Sequence, residues 1–268
     1  MWWQRGSGYG PIQRALAWSG LVLMAICFVV LQLLPVAERW LARGSGPRVP
    51  DGQIGLLIID PGHGGHDSGA IRDNFLEKDL TLDVARRVER LAQASGLATL
   101  LTRASDEWVS LASRAAIANH EQDCIFVSIH FDHGKRGAAT GIGTFYAPQQ
   151  VSRMPLAPSW LPFLQGTSSE ANSLESQSLA GFLQEALVAR TQAFDRGTKA
   201  QQFFVIANVR HPAVLVEGGF LSNDEDIGKL ATDAYRQELA MAINEGIVRY
   251  RDVLRERQAT LAVGQPGT

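Results

Sequence analysis

The run GLLIID at residues 55–60 has no polar side chain before its final aspartate, so apolar and polar positions do not alternate along it. A strand with this pattern is covered on both faces, which is typical of a sheet that lies between layers of helices. Five later runs also predict strands: LATLLT, CIFVSIH, IGTFYAP, QFFVIAN and PAVLVEGGF. The chain is therefore expected to build its core around a buried sheet.

Helical patterns separate these predicted strands. In LEKDLTLDVARRVERLAQAS, the apolar residues Leu80, Val84 and Val88 recur at helical spacing on one face. Three further segments predict helices: SLASRAAIANH, SLESQSLAGFLQEALVARTQAF and AYRQELAMAINEGIVRYRDVL. Strands that alternate with helices predict an α/β domain, here over residues 54–254, with a central, mostly parallel or mixed sheet flanked by helices.

An apolar segment precedes this domain. Residues 15–34 contain no charged side chain, and a helix of about 20 such residues spans a hydrocarbon layer of about 30 Å. Arg5 and Arg14 precede the segment without any acidic residue, which favours a cytoplasmic N-terminus. We expect a cytoplasmic stretch at 1–14, a transmembrane anchor at 15–34 and a linker at 35–53.

This anchor predicts where the rest of the chain is located. The protein is expected in the cytoplasmic membrane as a single-pass protein, with residues 54–254 on the extracytoplasmic, periplasmic side and a flexible tail at 255–268. The alternative is a cleaved signal peptide, which would make the protein secreted. The formal net charge of −2 disfavours a nucleic-acid partner, which normally requires a basic face.

Three titratable residues lie at the ends of predicted strands. His63 follows GLLIID, His130 ends CIFVSIH, and Glu217 lies near the end of PAVLVEGGF. Ligands of open α/β sheets bind beyond the carboxyl ends of the strands, so these groups converge if their strands are neighbours. Two imidazoles and a carboxylate are a familiar ligand set for catalytic zinc. Glu77, at the start of the first helix, could face the same edge.

Each of these residues also has a simpler interpretation. A single histidine at a strand end is commonly a hydrogen-bonded structural residue. Glu77 could be a favourable charge in the first turn of a helix. Glu217 follows four apolar residues, and it could belong to a buried ion pair because an unpaired buried carboxylate is costly.

Five blocks in one order then resemble a known family. They are IIDPGHGGHDSGA, EKDLTLDVARRV, LLTRASDEWVSLASRAAIAN, FVSIH and PAVLVEGGFLSN. Together they resemble the zinc-dependent N-acetylmuramoyl-L-alanine amidases, a family of bacterial cell-wall hydrolases. The resemblance implies that one zinc ion is bound by His63, Glu77 and His130, and that Glu217 is the catalytic carboxylate.

The sequence also departs from the usual family pattern. Small or amide residues usually follow the second histidine ligand, where this chain has Phe131, Asp132 and His133. A threonine often follows the catalytic glutamate, where this chain has Gly218. Substrate-contacting or ligand-supporting roles are further expectations for four residues near the ligands: Asp60, His66, Asp132 and His133.

The resemblance implies hydrolysis of the amide between N-acetylmuramic acid and L-alanine of the peptidoglycan stem peptide. Peptidoglycan is then the substrate, the membrane is a partner through the N-terminal helix, and an activator protein is a further candidate partner. Residues 148–173 are predicted to form a long loop, which either lines the substrate groove or covers the metal. Two alternatives stay open: a catalytically weak, membrane-tethered module that binds peptidoglycan, and a zinc hydrolase that acts on another amide.

Overall fold

The structure is a computed structural model that describes residue 18 and residues 54–132, 139–151 and 167–263. The chain divides into two units, residues 1–49 and 50–268. The predicted anchor at 15–34 lies, apart from Trp18, outside the described residues, and so does the predicted linker up to residue 53. Among the helices of the described ranges, none is both long enough and apolar enough to cross a bilayer.

Eight strands and six helices make up the described part of the second unit. The strands are β1 (Leu56–Pro61), β2 (Ile71–Arg72), β3 (Phe75–Leu76), β4 (Ala98–Leu101), β5 (Cys124–Asp132), β6 (Ile142–Tyr146), β7 (Asp195–Ala200) and β8 (Ala213–Phe220). The helices are α1 (Glu77–Ala94), α2 (Leu111–His120), α3 (Thr167–Thr191), α4 (Phe204–Ala207), α5 (Asp224–Leu230) and α6 (Asp233–Val263).

Six strands form one mixed sheet in the order β4-β1-β5-β8-β6-β7. Strands β4, β1, β5 and β8 are parallel, β6 is antiparallel to β8, and β7 is parallel to β6. The short strands β2 and β3 pair as a separate hairpin. The α/β class and the central mixed sheet flanked by helices are therefore confirmed.

Apolar side chains cover both faces of the sheet, as the uniform strand runs predict. On one face, α1, α3 and α6 pack on alternate strand residues; Val84, Leu183 and Ile247 belong to this cluster. On the other face, the shorter helices α2 and α4 pack on the intervening residues, with Ala115 and Ile206 in the core. The sheet is thus buried between two unequal layers of helices.

A cluster of charged side chains joins α1 to α6 at the surface. Asp83 accepts hydrogen bonds from Arg87 Nε at 3.0 Å and from Arg236 Nε at 2.5 Å. Partial burial alone would raise the pKa of Asp83, but the hydrogen bonds and positive charges of the two arginines lower it below its usual value. The cluster therefore favours the ionised carboxylate in the folded protein.

Three predicted elements differ in the structure. The run QFFVIAN is not a strand, because its central residues form helix α4. The strand beside β6, at one edge of the sheet, is instead β7, the polar sequence DRGTKA. Part of the predicted loop at 148–173 is helical, since α3 begins at Thr167, and residues 152–166 lie outside the described residues. Helix α6 continues past residue 254 to Val263, into the predicted tail.

Candidate metal centre

The sheet order places three strand ends side by side. Strand β5 lies between β1 and β8 and is parallel to both. His130 of β5 is the register partner of Glu217 in β8, and adjacent strands lie about 4.8 Å apart. The two residues predicted at separate strand ends therefore sit next to each other on one edge of the sheet.

His63 lies in the turn that follows β1. Its φ angle is 59°, in the left-handed region that non-glycine residues rarely adopt. The backbone carbonyl of His63 accepts a hydrogen bond from Arg114 Nη2 at 2.6 Å, and its Nδ1 lies 2.9 Å from Asp67 Oδ2. One contact holds the backbone of His63 and the other holds its ring, whose Nε2 faces Glu77.

Two buried arginines bind the carbonyl oxygens of this turn. Arg103 donates to the carbonyls of Pro61 and Gly62 at 3.0 and 2.8 Å. Arg114 donates to the Pro61 carbonyl at 2.6 Å. Both side chains are almost completely buried. The sequence alone predicts no role for either arginine, although each is the lone basic residue in its segment, LLTRAS or LASRAAIAN, and this is the signal that could have indicated one.

Asp60 lies behind the turn, where its carboxylate is bonded to other buried side chains. It is 1% exposed and accepts hydrogen bonds from Thr102 Oγ1, Ser128 Oγ and Arg114 Nη1 at 2.5, 2.7 and 2.8 Å. Its carboxylate is therefore the counter-charge of Arg114 in the interior. Asp60 supports the position of the turn that carries His63.

Glu77 begins α1 directly after the β2–β3 hairpin. Its Oε2 accepts a hydrogen bond from the backbone N–H of Ala70 at 2.8 Å, and its Oε1 accepts one from the N–H of Phe131 at 3.0 Å. The same Oε1 lies 3.0 Å from His63 Nε2 and 2.9 Å from His130 Nδ1. The carboxylate thus lies between the two imidazoles.

Burial alone would raise the pKa of Glu77. Hydrogen bonds and charge attraction to His130 and His63 outweigh burial and hold this pKa well below its usual range. Burial likewise opposes protonation of His63, but Glu77 and Asp67 raise the pKa of that imidazole above its usual value. The group therefore favours an ionised carboxylate between imidazoles, an arrangement of negative charge and nitrogen donors that suits a cation.

His63, Glu77 and His130 form a set that could hold a metal ion. Each offers one ligand atom, and these atoms all lie within 4.8 Å of one another. The two histidine rings are 4.9 Å apart between centroids and nearly perpendicular. A Cβ at Gly62 would lie 2.6 Å from His130 Nδ1, so the absence of a side chain there makes room for the ring.

Glu217 lies beside this group but is not bonded to it. Its Oε2 is buried and has no hydrogen-bond partner among the described residues. Burial, together with the negative charges of Glu77 and Asp132, raises the pKa of Glu217 well above its usual value. No ion pair with Glu217 is found in the described ranges, so the alternative of a buried ion pair has no support there.

The other predicted site residues lie at different distances from this centre. Asp132 ends β5, is exposed, and acts on Glu217 only through its charge. His66 is exposed and stacks on Trp108, with ring centroids 5.1 Å apart. His133 lies outside the described residues. Roles for these residues in substrate contact remain predictions, as do the catalytic and ligand roles of the central four.

The two departures from the family pattern contact each other. A Cβ at Gly218 would lie 2.7 Å from Cε1 of Phe131, which is fully buried. The large ring at 131 therefore occupies the space that a side chain at 218 would need. Gly218 is not in the left-handed region of φ, so contact with the ring, and not backbone strain, explains the glycine.

Comparison with known proteins identifies relatives of this chain. The family model for N-acetylmuramoyl-L-alanine amidase matches residues 57–249. The N-acetylmuramoyl-L-alanine amidase LytC of Bacillus subtilis is 36% identical over 194 residues, which are 72% of this chain and 35% of LytC. This chain thus spans about a third of the length of that relative.

Two solved structures share the fold. The N-acetylmuramoyl-L-alanine amidase from Clostridium difficile 630 aligns with a TM-score of 0.61 and 31% identity, over 74% of this chain and 96% of that one. The CwlD amidase from Clostridioides difficile, solved in complex with the GerS lipoprotein, aligns with a TM-score of 0.63 and 26% identity, over 74% and 98%. With the family match extending over most of the α/β domain, this chain belongs to the N-acetylmuramoyl-L-alanine amidase family.

Proposed function

We propose that this protein hydrolyses the amide bond between N-acetylmuramic acid and L-alanine of the peptidoglycan stem peptide. The observation that carries the proposal is the cluster of His63, Glu77 and His130 with Glu217 as the register partner of His130. Membership of the amidase family supports the substrate. The proposal extends to cell-wall turnover or remodelling as the setting of this reaction.

The donor set fits one zinc ion. Zinc in proteins is bound by histidine nitrogen and carboxylate oxygen, and a catalytic site has three protein ligands and one open position. His63, Glu77 and His130 supply two nitrogens and one oxygen within 4.8 Å of each other. When bound, zinc supplies Lewis-acid polarisation of the scissile carbonyl and lowers the pKa of a coordinated water to about 7.

The chain's own residues supply the proton transfers. Glu217 has a buried Oε2 with no described hydrogen-bond partner, so no described protein group competes for a proton on this carboxyl group. Glu217 would accept a proton from the attacking water and then donate it to the departing amine of L-alanine, as a general base and then a general acid. Burial and the negative charges of Glu77 and Asp132 raise the pKa of Glu217, which favours the protonated form that the second step needs. The positive charge of a bound zinc ion would lower this pKa toward the ionised form that the first step needs.

A substitution at Glu217 tests the proposal. Glu217→Gln is expected to keep its zinc and to lower the rate of stem-peptide release by about 10²–10⁴-fold, the usual contribution of general acid–base catalysis. Glu185→Gln is the matched control, because Glu185 is exposed and pairs with Arg249 between α3 and α6. Zinc content is measured by elemental analysis and release by chromatography of digested peptidoglycan.

The same assay separates the alternatives. A zinc-loaded protein that binds peptidoglycan and releases nothing would favour a tethered binding module. Release from unrelated peptides, with none from peptidoglycan, would favour a hydrolase of another amide. Equal rates for Glu217→Gln and the wild type would show that Glu217 is not the base.

We also propose that residues 15–34 anchor the protein in the cytoplasmic membrane, with the α/β domain on the extracytoplasmic, periplasmic side. The absence of charge in this segment and the preceding Arg5 and Arg14 support the proposal. Membrane fractionation and mass spectrometry of the mature N-terminus test it. A mature protein that begins near residue 38 would instead show cleavage and secretion.

A protein activator is a further part of the proposal. CwlD, one of the similar structures, was solved in complex with the GerS lipoprotein. The purified chain is assayed with and without a membrane extract of the cells that produce it. A rise in stem-peptide release that heating of the extract abolishes would support an activator, and an unchanged rate would oppose one.

A further inference from the structure

Trp108 is a large apolar side chain that is 53% exposed beside the metal centre. Its ring packs against the exposed ring of His66, with 5.1 Å between centroids and 31° between planes. Exposure of so much aromatic surface is unfavourable unless something covers it. The pair, here called the aromatic platform, is defined by His66 and Trp108.

The aromatic platform is held rigidly by polar contacts beneath it. The backbone N–H of Gly65 donates to Asp106 Oδ1 at 2.7 Å. Lys78 Nζ donates both to the Gly65 carbonyl at 2.9 Å and to Asp106 Oδ2 at 2.7 Å. A Cβ at Gly65 would lie 2.7 Å from the Trp108 backbone nitrogen. The segment that carries His66 and the segment that carries Trp108 are thus already fixed together. A ligand would therefore lose little binding free energy in ordering them.

The platform lies next to the ligand His63. His66 follows His63 by three residues, so their Cα atoms are at most about 10 Å apart. The backbone N–H of Gly64 donates to the Asp67 carbonyl, which closes the turn between the two histidines, and Asp67 also contacts the His63 ring. A group bound to the platform would therefore be adjacent to a group bound at the metal centre.

We infer that the aromatic platform binds the sugar ring of N-acetylmuramic acid, an inference that rests on the proposed function. In that substrate the scissile carbonyl belongs to the lactyl group, which is attached directly to the sugar, so the ring must lie close to the metal centre. The C–H face of a pyranose packs favourably on a flat aromatic side chain. A half-exposed tryptophan provides such a surface.

Charge favours the sugar over the stem peptide at this position. Asp67, Asp106 and Glu107 are exposed around the platform, and Lys78 pairs with Asp106 alone among them. The stem peptide carries carboxylates and would be repelled, whereas the sugar ring is neutral. On the other side of Glu217, strand β6 contributes Gly143, the register partner of Glu217, and Gly143 lies beside Arg196 of β7. The positive charge of Arg196 makes that side more suitable for an acidic peptide.

Two substrates with the same scissile amide test the inference. One is an N-acetylmuramoyl peptide, and the other is the same peptide carrying only the lactyl group. The ratio of kcat/KM for the first to that for the second is expected to fall about tenfold in Trp108→Ala, mainly through KM, which corresponds to the loss of one stacking contact. Trp108→Phe should restore most of the ratio. Leu174→Ala is the matched control, since Leu174 is an exposed apolar residue on α3.

A binding measurement makes the test independent of turnover. In zinc-loaded Glu217→Gln protein, addition of Trp108→Ala should raise the Kd for the N-acetylmuramoyl peptide about tenfold by calorimetry, and should change the Kd for the lactyl peptide much less. An equal loss for both ligands, or an unchanged Kd for both, would overturn the inference. If the wild type cleaves neither substrate but this difference in Kd persists, the sugar platform stands and the proposed hydrolysis fails.

Discussion

Phe131 and Gly218 are expected to depend on each other, and a double-mutant cycle can measure this dependence. Each departs from the family pattern, and a Cβ at 218 would approach the buried ring to 2.7 Å. The perturbations are Gly218→Ala, which adds a methyl group against the ring, and Phe131→Ala, which removes the ring. Because the ring is fully buried in the core, it has little freedom to move away.

The expected magnitudes follow from the packing. Gly218→Ala overpacks a filled site, which costs about 1–3 kcal/mol of the free energy of unfolding. Phe131→Ala leaves a cavity, which costs about 3–5 kcal/mol. In the double variant the methyl group enters the space that the ring has left. The double variant should therefore cost at least about 1 kcal/mol less than the sum of the single costs, within the range found for residues in contact.

Urea unfolding followed by circular dichroism gives the four free energies by linear extrapolation. Gly181→Ala is the control, because a Cβ at Gly181 of α3 would have no heavy atom within 4 Å. Combined with Phe131→Ala, the control should be additive to within about 0.5 kcal/mol. If the Gly218 and Phe131 costs also add to within this limit, the two departures do not compensate each other.

Three further outcomes are expected. Asp60→Asn should lower the free energy of unfolding by about 3–5 kcal/mol, because it leaves the Arg114 guanidinium buried without its counter-charge. Urea titration measures this loss, and a loss below about 1 kcal/mol would contradict the expectation. Gly62→Ala should weaken zinc binding by about 10–100-fold, because its Cβ displaces the His130 ring; competition with a chelator measures this, and unchanged affinity would refute it. Asp83 has a lowered pKa in the folded state, so its stabilising effect is complete above the unfolded pKa of about 3.9 and is lost as pH falls through the folded pKa. The difference in urea midpoint between wild type and Asp83→Asn should therefore disappear in acid. A difference that persists there would show that the ionised Asp83 carboxylate does not stabilise the fold.

The sequence predicts the central strands well because their burial leaves a strong local pattern. Runs such as GLLIID and CIFVSIH are apolar throughout, and both are strands in the centre of the sheet. The prediction fails at one edge of the sheet, where β7 is the polar DRGTKA. An edge strand has one neighbour and more contact with solvent, so its composition need not be apolar. The apolar QFFVIAN instead provides α4, whose Val205 and Ile206 are buried against the second face of the sheet.

The candidate site is only partly visible in the local sequence. The rule about strand ends identifies His63, His130 and Glu217, but their convergence depends on β1, β5 and β8 being neighbours. That order results from long-range crossovers, which no local pattern encodes. The supporting arginines are hidden for another reason. Arg103 and Arg114 would normally be expected at the surface, and only the three-dimensional turn shows the carbonyl oxygens that they bind.

Glu77 illustrates how the fold and the site share one residue. Its Oε2 accepts the Ala70 N–H while its own backbone N–H donates to the Ala70 carbonyl, so the residue closes the hairpin segment before α1. Its Oε1 faces the two imidazoles and the Phe131 N–H. Any substitution at 77 therefore disturbs this loop and the metal centre together, and lost activity would have two explanations.

Glu217 has a buried oxygen without such contacts among the described residues. A change of Glu217 to Gln alters proton transfer without removing a structural hydrogen bond of that oxygen, which is why Glu217, and not Glu77, is the residue that can test the chemistry separately from the fold.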